Sequence, residues 1–140
     1  MNPLLYDEAI RIRQEAKRLQ SELTNLIVDE HVGGRTPKTM AHQLDLTESY
    51  VYRILRDNKW EAAWRVEELT GNGRWQELKE LAPGIRWSGT WNTSETAEQV
   101  AARIMTELSG ATRTKPLRIR IWRGSPIGNP RLTTELPPSA

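Results

Sequence analysis

The 140-residue sequence predicts a mainly α-helical protein with a small α+β part. Apolar residues follow helical spacing through most of the first 83 residues, and they alternate with polar residues in two later stretches, as strands do. The predicted organisation is a helical domain over residues 1–83, a β–α–β unit over residues 84–123 and a flexible, proline-containing tail over residues 124–140.

The first predicted helix runs from Pro3 to Val32 and carries a regular apolar stripe. Seven residues recur at alternating spacings of four and three: Leu5, Ala9, Ile12, Ala16, Leu19, Leu23 and Leu26. Such a seam is typical of a coiled coil between chains. It fits equally well a long amphipathic helix that packs its stripe on a helical domain of the same chain. In both interpretations Gly33-Gly34 ends the helix.

Two short helices joined by a three-residue turn are predicted within residues 36–59. Thr36 and Thr47 can cap them, and Pro37 suits the first turn of the first helix. The apolar face of the first helix holds Met40, Ala41 and Leu44. In the second helix Val51, Ile54 and Leu55 share the inner face, while the remaining large side chains point elsewhere: Tyr50, Tyr52, Arg53 and Arg56.

This pattern resembles the helix-turn-helix of repressor-type DNA-binding proteins. Ala41 stands where the two helices touch and only a small side chain fits. The apolar positions of the family are matched by Leu44, Leu46, Val51 and Leu55. Asp45 departs from the family, which usually has glycine at this turn position because the backbone needs a positive φ, and Asp tolerates that conformation better than most residues. An ordinary helical hairpin and a protein-docking module are the alternatives.

The resemblance implies a sequence-specific protein that binds double-stranded DNA as a homodimer, with its second short helix in the major groove. Candidate contacts to bases are Thr47, Glu48, Ser49, Tyr52 and Arg53. Candidate contacts to phosphate are Thr36, Lys38, Arg56 and Lys59. A small transcriptional regulator of a bacterium, phage or mobile element is the expected role. The first alternative is a phage packaging or recombination accessory protein, such as a small terminase subunit or a directionality factor, and the second is a protein-interaction adaptor.

Residues after the second short helix predict two more helices and then the β–α–β unit. The helices are expected around Trp60–Leu69 and around Trp75, Leu78 and Leu81. Alternation predicts strands at Ile85–Trp91 and Leu117–Trp122, and Asn92 with Glu95 predicts a capping box for the helix between them. The apolar face of that helix holds Ala97, Val100, Ala101, Ile104 and Leu108, and Gly110 ends it. If the two strands pair directly they are parallel, and the unit is a possible docking surface for a protein partner.

Charge is distributed unevenly along the chain. Residues 1–108 hold 14 basic and 17 acidic side chains, whereas residues 109–140 hold six basic side chains and one acidic. The basic members are Arg113, Lys115, Arg118, Arg120, Arg123 and Arg131. A basic arm on a near-neutral body suggests contact with phosphate, so Arg118 and Arg120 are further phosphate candidates, expected to face outward with little acid nearby. The alternative is a solvated tail that keeps the protein in solution.

Composition excludes several classes of function. The chain has no cysteine, and its two histidines have no third ligand at metal spacing, so thiol chemistry, zinc fingers and disulfides are excluded. No phosphate-binding loop or nucleophile motif is present, and we expect neither enzymatic activity nor a cofactor. No apolar run approaches membrane-spanning length, and the expected location is the cytoplasm, associated with the nucleoid.

Overall fold

The computed structural model describes residues 3–77, 88–109 and 114–138 and shows an α+β fold. Its helices are α1 (Pro3–Val32), α2 (Pro37–Leu44), α3 (Glu48–Asp57) and α4 (Ala97–Leu108). Its strands are β1 (Trp60–Leu69), β2 (Trp75–Glu77), β3 (Ser88–Thr93), β4 (Leu117–Arg123) and β5 (Leu132–Leu136).

The five strands form one antiparallel sheet with β1 at its centre. β4 pairs with one edge of β1, and β5 pairs with the far edge of β4. β3 and β2 share the other edge of β1, with β3 beside its first half and β2 beside its last residues. One face of the sheet carries Leu117, Ile119 and Ile121, which are fully buried on the side of α4. The opposite face is polar and aromatic.

The predicted mainly α class is wrong, and β1 is the chief reason. Trp60, Ala62, Trp64 and Val66 alternate at strand period, and all are buried on one side of the sheet. Ala63 is buried on the other side, opposite Trp122. Ala63 interrupts an otherwise regular alternation with Glu61, Arg65 and Glu67, so Trp60, Ala63 and Trp64 also fit helical spacing. The helix expected at Trp75 is likewise wrong, because β2 begins there; Leu78 and Leu81 lie outside the described residues.

The β–α–β unit has a different topology from the one predicted. β3 and β4 do not pair with each other, because β1 lies between them and is antiparallel to both. The capping box is real but lies four residues later, at Thr96 and Gln99. The predicted apolar face of α4 is confirmed, since its five residues are all buried. Ile85, Trp87 and Gly110 lie outside the described residues.

The chain beyond Gly124 returns to the sheet. β5 pairs with β4 over five residues, from Leu117 opposite Leu136 to Ile121 opposite Leu132. The prediction of a flexible tail is therefore wrong over β5. The sheet joins ranges that the sequence suggested were separate units, and one hydrophobic cluster runs from Ile27 in α1 to Leu136 in β5. Helices α1 to α3 thus share the core of the sheet and do not form an independent tri-helical domain.

The short helices and their turn occur where the sequence predicts them. Thr36 and Thr47 cap α2 and α3. Asp45 has φ 55° and ψ 46°, the left-handed conformation that the predicted turn requires. Ala41 and Met40 are buried, but Leu44, predicted to be buried with them, is 43% exposed. It lies on an apolar groove between α1 and α2.

Within the described residues, α1 packs against the body of the protein mainly through its C-terminal end. Ile27, Val28 and Val32 are nearly inaccessible to solvent, whereas every described side chain from Leu5 to Glu22 is exposed. The hypothesis that the apolar stripe of α1 packs on its own chain is therefore wrong over most of its length.

Asp45 provides the first test of this architecture. Replacing Asp45 with Val should destabilise the fold by about 1–2 kcal/mol, because a β-branched side chain is strained at positive φ. Asp45→Gly should be neutral or stabilising, because glycine adopts this conformation freely. Asp45→Asn is the matched control and should stay within about 0.5 kcal/mol of the parent protein. Urea unfolding midpoints measure all three, and equal tolerance of Val and Gly would contradict the assigned turn.

Candidate nucleic-acid interface

Helix α3 is fixed to the body by one face and presents the other face to solvent. Val51, Ile54 and Leu55 are buried in the shared core. The exposed face holds Glu48, Ser49, Tyr52, Arg53 and Arg56. All the sequence-predicted candidates of this helix are therefore on one accessible surface, and Tyr52 is 59% exposed.

The hydroxyl groups of the two capping threonines already have partners. The Thr36 hydroxyl oxygen accepts a hydrogen bond from the backbone N–H of Thr39 (3.2 Å), and that of Thr47 accepts from the N–H of Tyr50 (3.1 Å). Both residues are exposed. Their first role is to cap the N-termini of α2 and α3, where each hydroxyl oxygen satisfies one of the backbone N–H groups that has no partner within the helix.

The guanidinium group of Arg53 is positioned by a neighbouring tyrosine. It lies 5.2 Å from the centre of the Tyr50 ring, a cation–π contact. The Tyr50 hydroxyl oxygen in turn accepts a hydrogen bond from Gln20 of α1 (3.0 Å). Tyr50 is half-buried against the core, so the expectation that it points away from the body is wrong. Its spacing of three residues from Arg53 was the sequence signal for this pair.

The basic side chains around α3 differ in whether they already have an ion-pair partner within the protein. Arg56 pairs with Asp57 (3.0 Å), and both remain more than half exposed. Lys38 and Lys59 are exposed and make no ion pair within the part of the chain that the structure describes. Arg35 pairs with Glu30 (2.9 Å) and donates to Gln43 (2.8 Å), which ties the end of α1 to α2.

Arg118 and Arg120 lie elsewhere, on the polar face of the sheet. Their predicted freedom from nearby acid is wrong, because Glu67 of β1 is 2.7 Å from Arg118 and 3.5 Å from Arg120 and is only 7% exposed. The two guanidinium groups also stack on tryptophan rings, Arg118 on Trp75 (4.7 Å) and Arg120 on Trp122 (4.8 Å). These contacts indicate that both side chains have a structural role in the sheet.

The remaining basic residues of the C-terminal segment are also paired with acids from the N-terminal half. Lys115 lies 3.6 Å from Glu68, Arg123 lies 3.2 Å from Asp29, and Arg131 pairs with the same Asp29. Arg113 lies outside the described residues. The unequal charge of the linear sequence is thus largely balanced in the folded protein, and α2–α3 is the site that brings predicted residues together.

The described residues contain no cluster of three or more acidic or histidine side chains that could hold a metal ion. Within the same ranges, no helix combines the length and apolarity needed to cross a membrane. Comparison with protein-family models, with curated proteins and with solved structures found no match for this chain.

Glu67 should be a structural residue. Glu67→Gln removes the charge that balances two partly buried arginines, and we expect a loss of about 1.5–3 kcal/mol in the free energy of unfolding. Glu61→Gln is the matched control, because Glu61 lies on the same strand but is exposed, and it should change stability by less than about 0.5 kcal/mol. Urea denaturation compares the two variants. Equal stability of both would show that the Glu67 pairs contribute nothing to folding.

Proposed function

We propose that this chain binds double-stranded DNA in a sequence-specific manner through α3 and acts as a transcriptional regulator of a bacterium, phage or mobile element. One observation supports the proposal most directly. The inner face of α3 is buried in the core, and its outer face presents an exposed row of side chains that can contact bases. An ordinary surface helix also has one apolar face and one polar face. Two further features are typical of a DNA-recognition helix: the left-handed turn at Asp45 and the capped helix α2 that precedes it.

The dimensions of α3 suit the major groove. Ten residues give a helix about 15 Å long, and the groove is about 12 Å wide and admits one helix. Arg53 has the donor geometry for guanine O6 and N7, and Glu48 can accept from cytosine N4. Thr47 and Ser49 can bond to base or backbone, and Tyr52 offers a ring edge for apolar contact. Because Tyr50 holds the Arg53 guanidinium group, less side-chain freedom is lost when Arg53 binds a base.

Contacts to phosphate would come from around the two short helices. Thr36 and Lys38 lie at the N-terminus of α2, where the helix dipole favours anions. Arg56 and Lys59 follow the exposed face of α3 toward its end. Arg118 and Arg120 are not among these phosphate contacts, because Glu67 balances their charges.

Selection of bound sites from a random duplex pool tests the proposal with the full chain. The parent protein should enrich a defined motif. Arg53→Ala should weaken binding to that motif by about 1–3 kcal/mol and relax preference at one base position. Arg103→Ala is the matched control, since it removes an exposed arginine of α4 that pairs with Glu95, and it should leave affinity unchanged. Failure to enrich any motif, with no binding to duplex DNA, would favour the protein-interaction adaptor instead.

The phosphate contacts have a separate readout. Lys38→Ala and Lys59→Ala should each weaken binding to all duplexes alike, and each should reduce the slope of log affinity against log salt by about one unit. Arg118→Ala with Arg120→Ala should not change that slope, although it should lower stability. If the slope falls for Arg118→Ala with Arg120→Ala and not for the lysine variants, the phosphate contacts are made by the sheet and not by α2 and α3.

A further inference from the structure

The exposed part of α1 carries an apolar seam that no described residue of its own chain covers. Leu5 is 65% exposed, Ile12 55%, Leu19 50% and Leu26 53%. Four large apolar side chains on one line along a helix are costly to leave in water. They are spaced seven residues apart, so each lies two turns beyond the last.

The charged residues beside this seam follow the same repeat. With the four large residues at heptad position d, Ala9, Ala16 and Leu23 occupy position a. Position g is then acidic in each repeat, with Glu8, Glu15 and Glu22, and position e holds Tyr6, Arg13 and Gln20. Within one helix Glu8 pairs with Arg11, and Arg18 pairs with both Glu15 and Glu22. The hydrogen bond from Arg18 lowers the pKa of Glu15 below its ordinary value.

We propose that the seam of α1 is covered by the same seam of a second copy of this chain, in a parallel, in-register, two-stranded coiled coil. Neither the seam nor the groove at its end includes the exposed face of α3, so this association is independent of the proposed DNA binding. Its occupant and its orientation both follow from the charges beside the seam.

Charge complementarity distinguishes the two possible orientations. In a parallel pair, position g of one helix faces position e of the next repeat in its partner, so Glu8 meets Arg13 of the second copy and Glu15 meets Gln20. In an antiparallel pair, g faces g, and the glutamate row of one helix meets the glutamate row of the other. Like charges in such positions are destabilising. The repeat therefore favours the parallel arrangement.

The seam continues into an apolar groove at the end of α1. This groove, of about 330 Å³, lies between α1 and α2 and is lined in part by Leu23, Leu26, Ile27, Met40 and Leu44. In a parallel pair, the ends of both α1 helices and both grooves lie at the same end of the assembly. Leu44 lines this groove together with Leu26, the last large residue of the seam, and is 43% exposed in the single chain.

The first experiment tests whether the seam is an interface. Ile12→Asp places a charge at the centre of the proposed contact, whereas Gln14→Asp places it on the outer face of the same turn. Both positions are exposed in the single chain, so neither variant should change its fold. Light scattering at micromolar concentration should give a dimer for the parent protein and for Gln14→Asp, and a monomer for Ile12→Asp. A monomeric parent protein, or a dimer unaffected by Ile12→Asp, would overturn the proposal.

The second experiment tests the orientation through disulfide formation. The chain has no cysteine, so Ala9→Cys creates a single thiol. In a parallel pair the two copies of position 9 face each other and should form a disulfide under mild oxidation. In an antiparallel pair aligned over the seam, position 9 faces position 19, and the two thiols are about 15 Å apart. Crosslinking of Ala9→Cys to Leu19→Cys in a mixture, without Ala9→Cys homodimers, would overturn the parallel arrangement. Gln14→Cys is the control and should not crosslink.

Exchange of charge gives a third, independent result. Glu8→Arg should weaken the parallel homodimer about threefold to tenfold, because two attractive pairs become repulsive. Mixing Glu8→Arg with Arg13→Glu should restore association as a heterodimer. An antiparallel pair would respond in the opposite way, since Glu8→Arg would relieve its glutamate repulsion. Because these measurements contain no DNA, loss of dimerisation and loss of DNA binding are separate outcomes.

Discussion

The pairing of β1 along both of its edges is the constraint on which the rest of the structure depends. β1 begins at Trp60, close after the end of α3 at Asp57, so the direction of the central strand determines how the helix pair is held against the sheet. Trp60 is 3% exposed, and its indole N–H donates to the carbonyl oxygen of Glu95 (2.7 Å). This bond joins the start of β1 to the turn before α4. The helix that carries the candidate DNA-binding surface is therefore connected directly to the central strand of the sheet, which pairs with three other strands.

Acidic residues of the first half of the chain connect its second half to the core. Glu67 holds two arginines of β4, and Asp29 of α1 holds Arg123 and Arg131. His31 adds a bridge, because its ring nitrogens lie 3.2 Å and 3.0 Å from the carbonyl oxygens of Arg35 and Ser94. Several of these partners are separated by 50 to 100 positions in the sequence. The Asp29 pairs orient elements toward one another more than they stabilise the fold, because partly exposed ion pairs contribute little net free energy. Glu67 differs, because it is nearly buried and its charge balances two arginines.

Local signals in the sequence were sufficient for the helices and insufficient for the sheet. Thr36, Asp45 and Thr47 specify α2, its turn and α3 through side-chain capping and backbone preference, which act over a few residues. The apolar face of α4 follows from its spacing alone. β1 was missed because Ala63 interrupts its polar alternation, so that Trp60, Ala63 and Trp64 also fit helical spacing, and because most of its partners lie far along the chain. The candidate contacts on α3 were predictable from helical periodicity. The ion pairs of the C-terminal arginines were not predictable, because no local pattern shows which acidic residue will lie beside them in the folded protein.

The length of α1 has a consequence for how the protein responds to its own concentration. Thirty residues form a helix about 45 Å long. Among the described residues, its first two-thirds are held by their own hydrogen bonds, by short-range pairs such as Arg18 with Glu15 and Glu22, and by the hydrogen bond from Gln20 to α3. Most of the stability of a helix in a protein comes from the packing of its apolar face, which this segment lacks within its own described chain. Association along the seam would supply the missing free energy, so helical order in this segment would increase as the protein accumulates. The same helix contacts Tyr50 through Gln20, and the order of α1 is thereby linked to the side chain that positions Arg53.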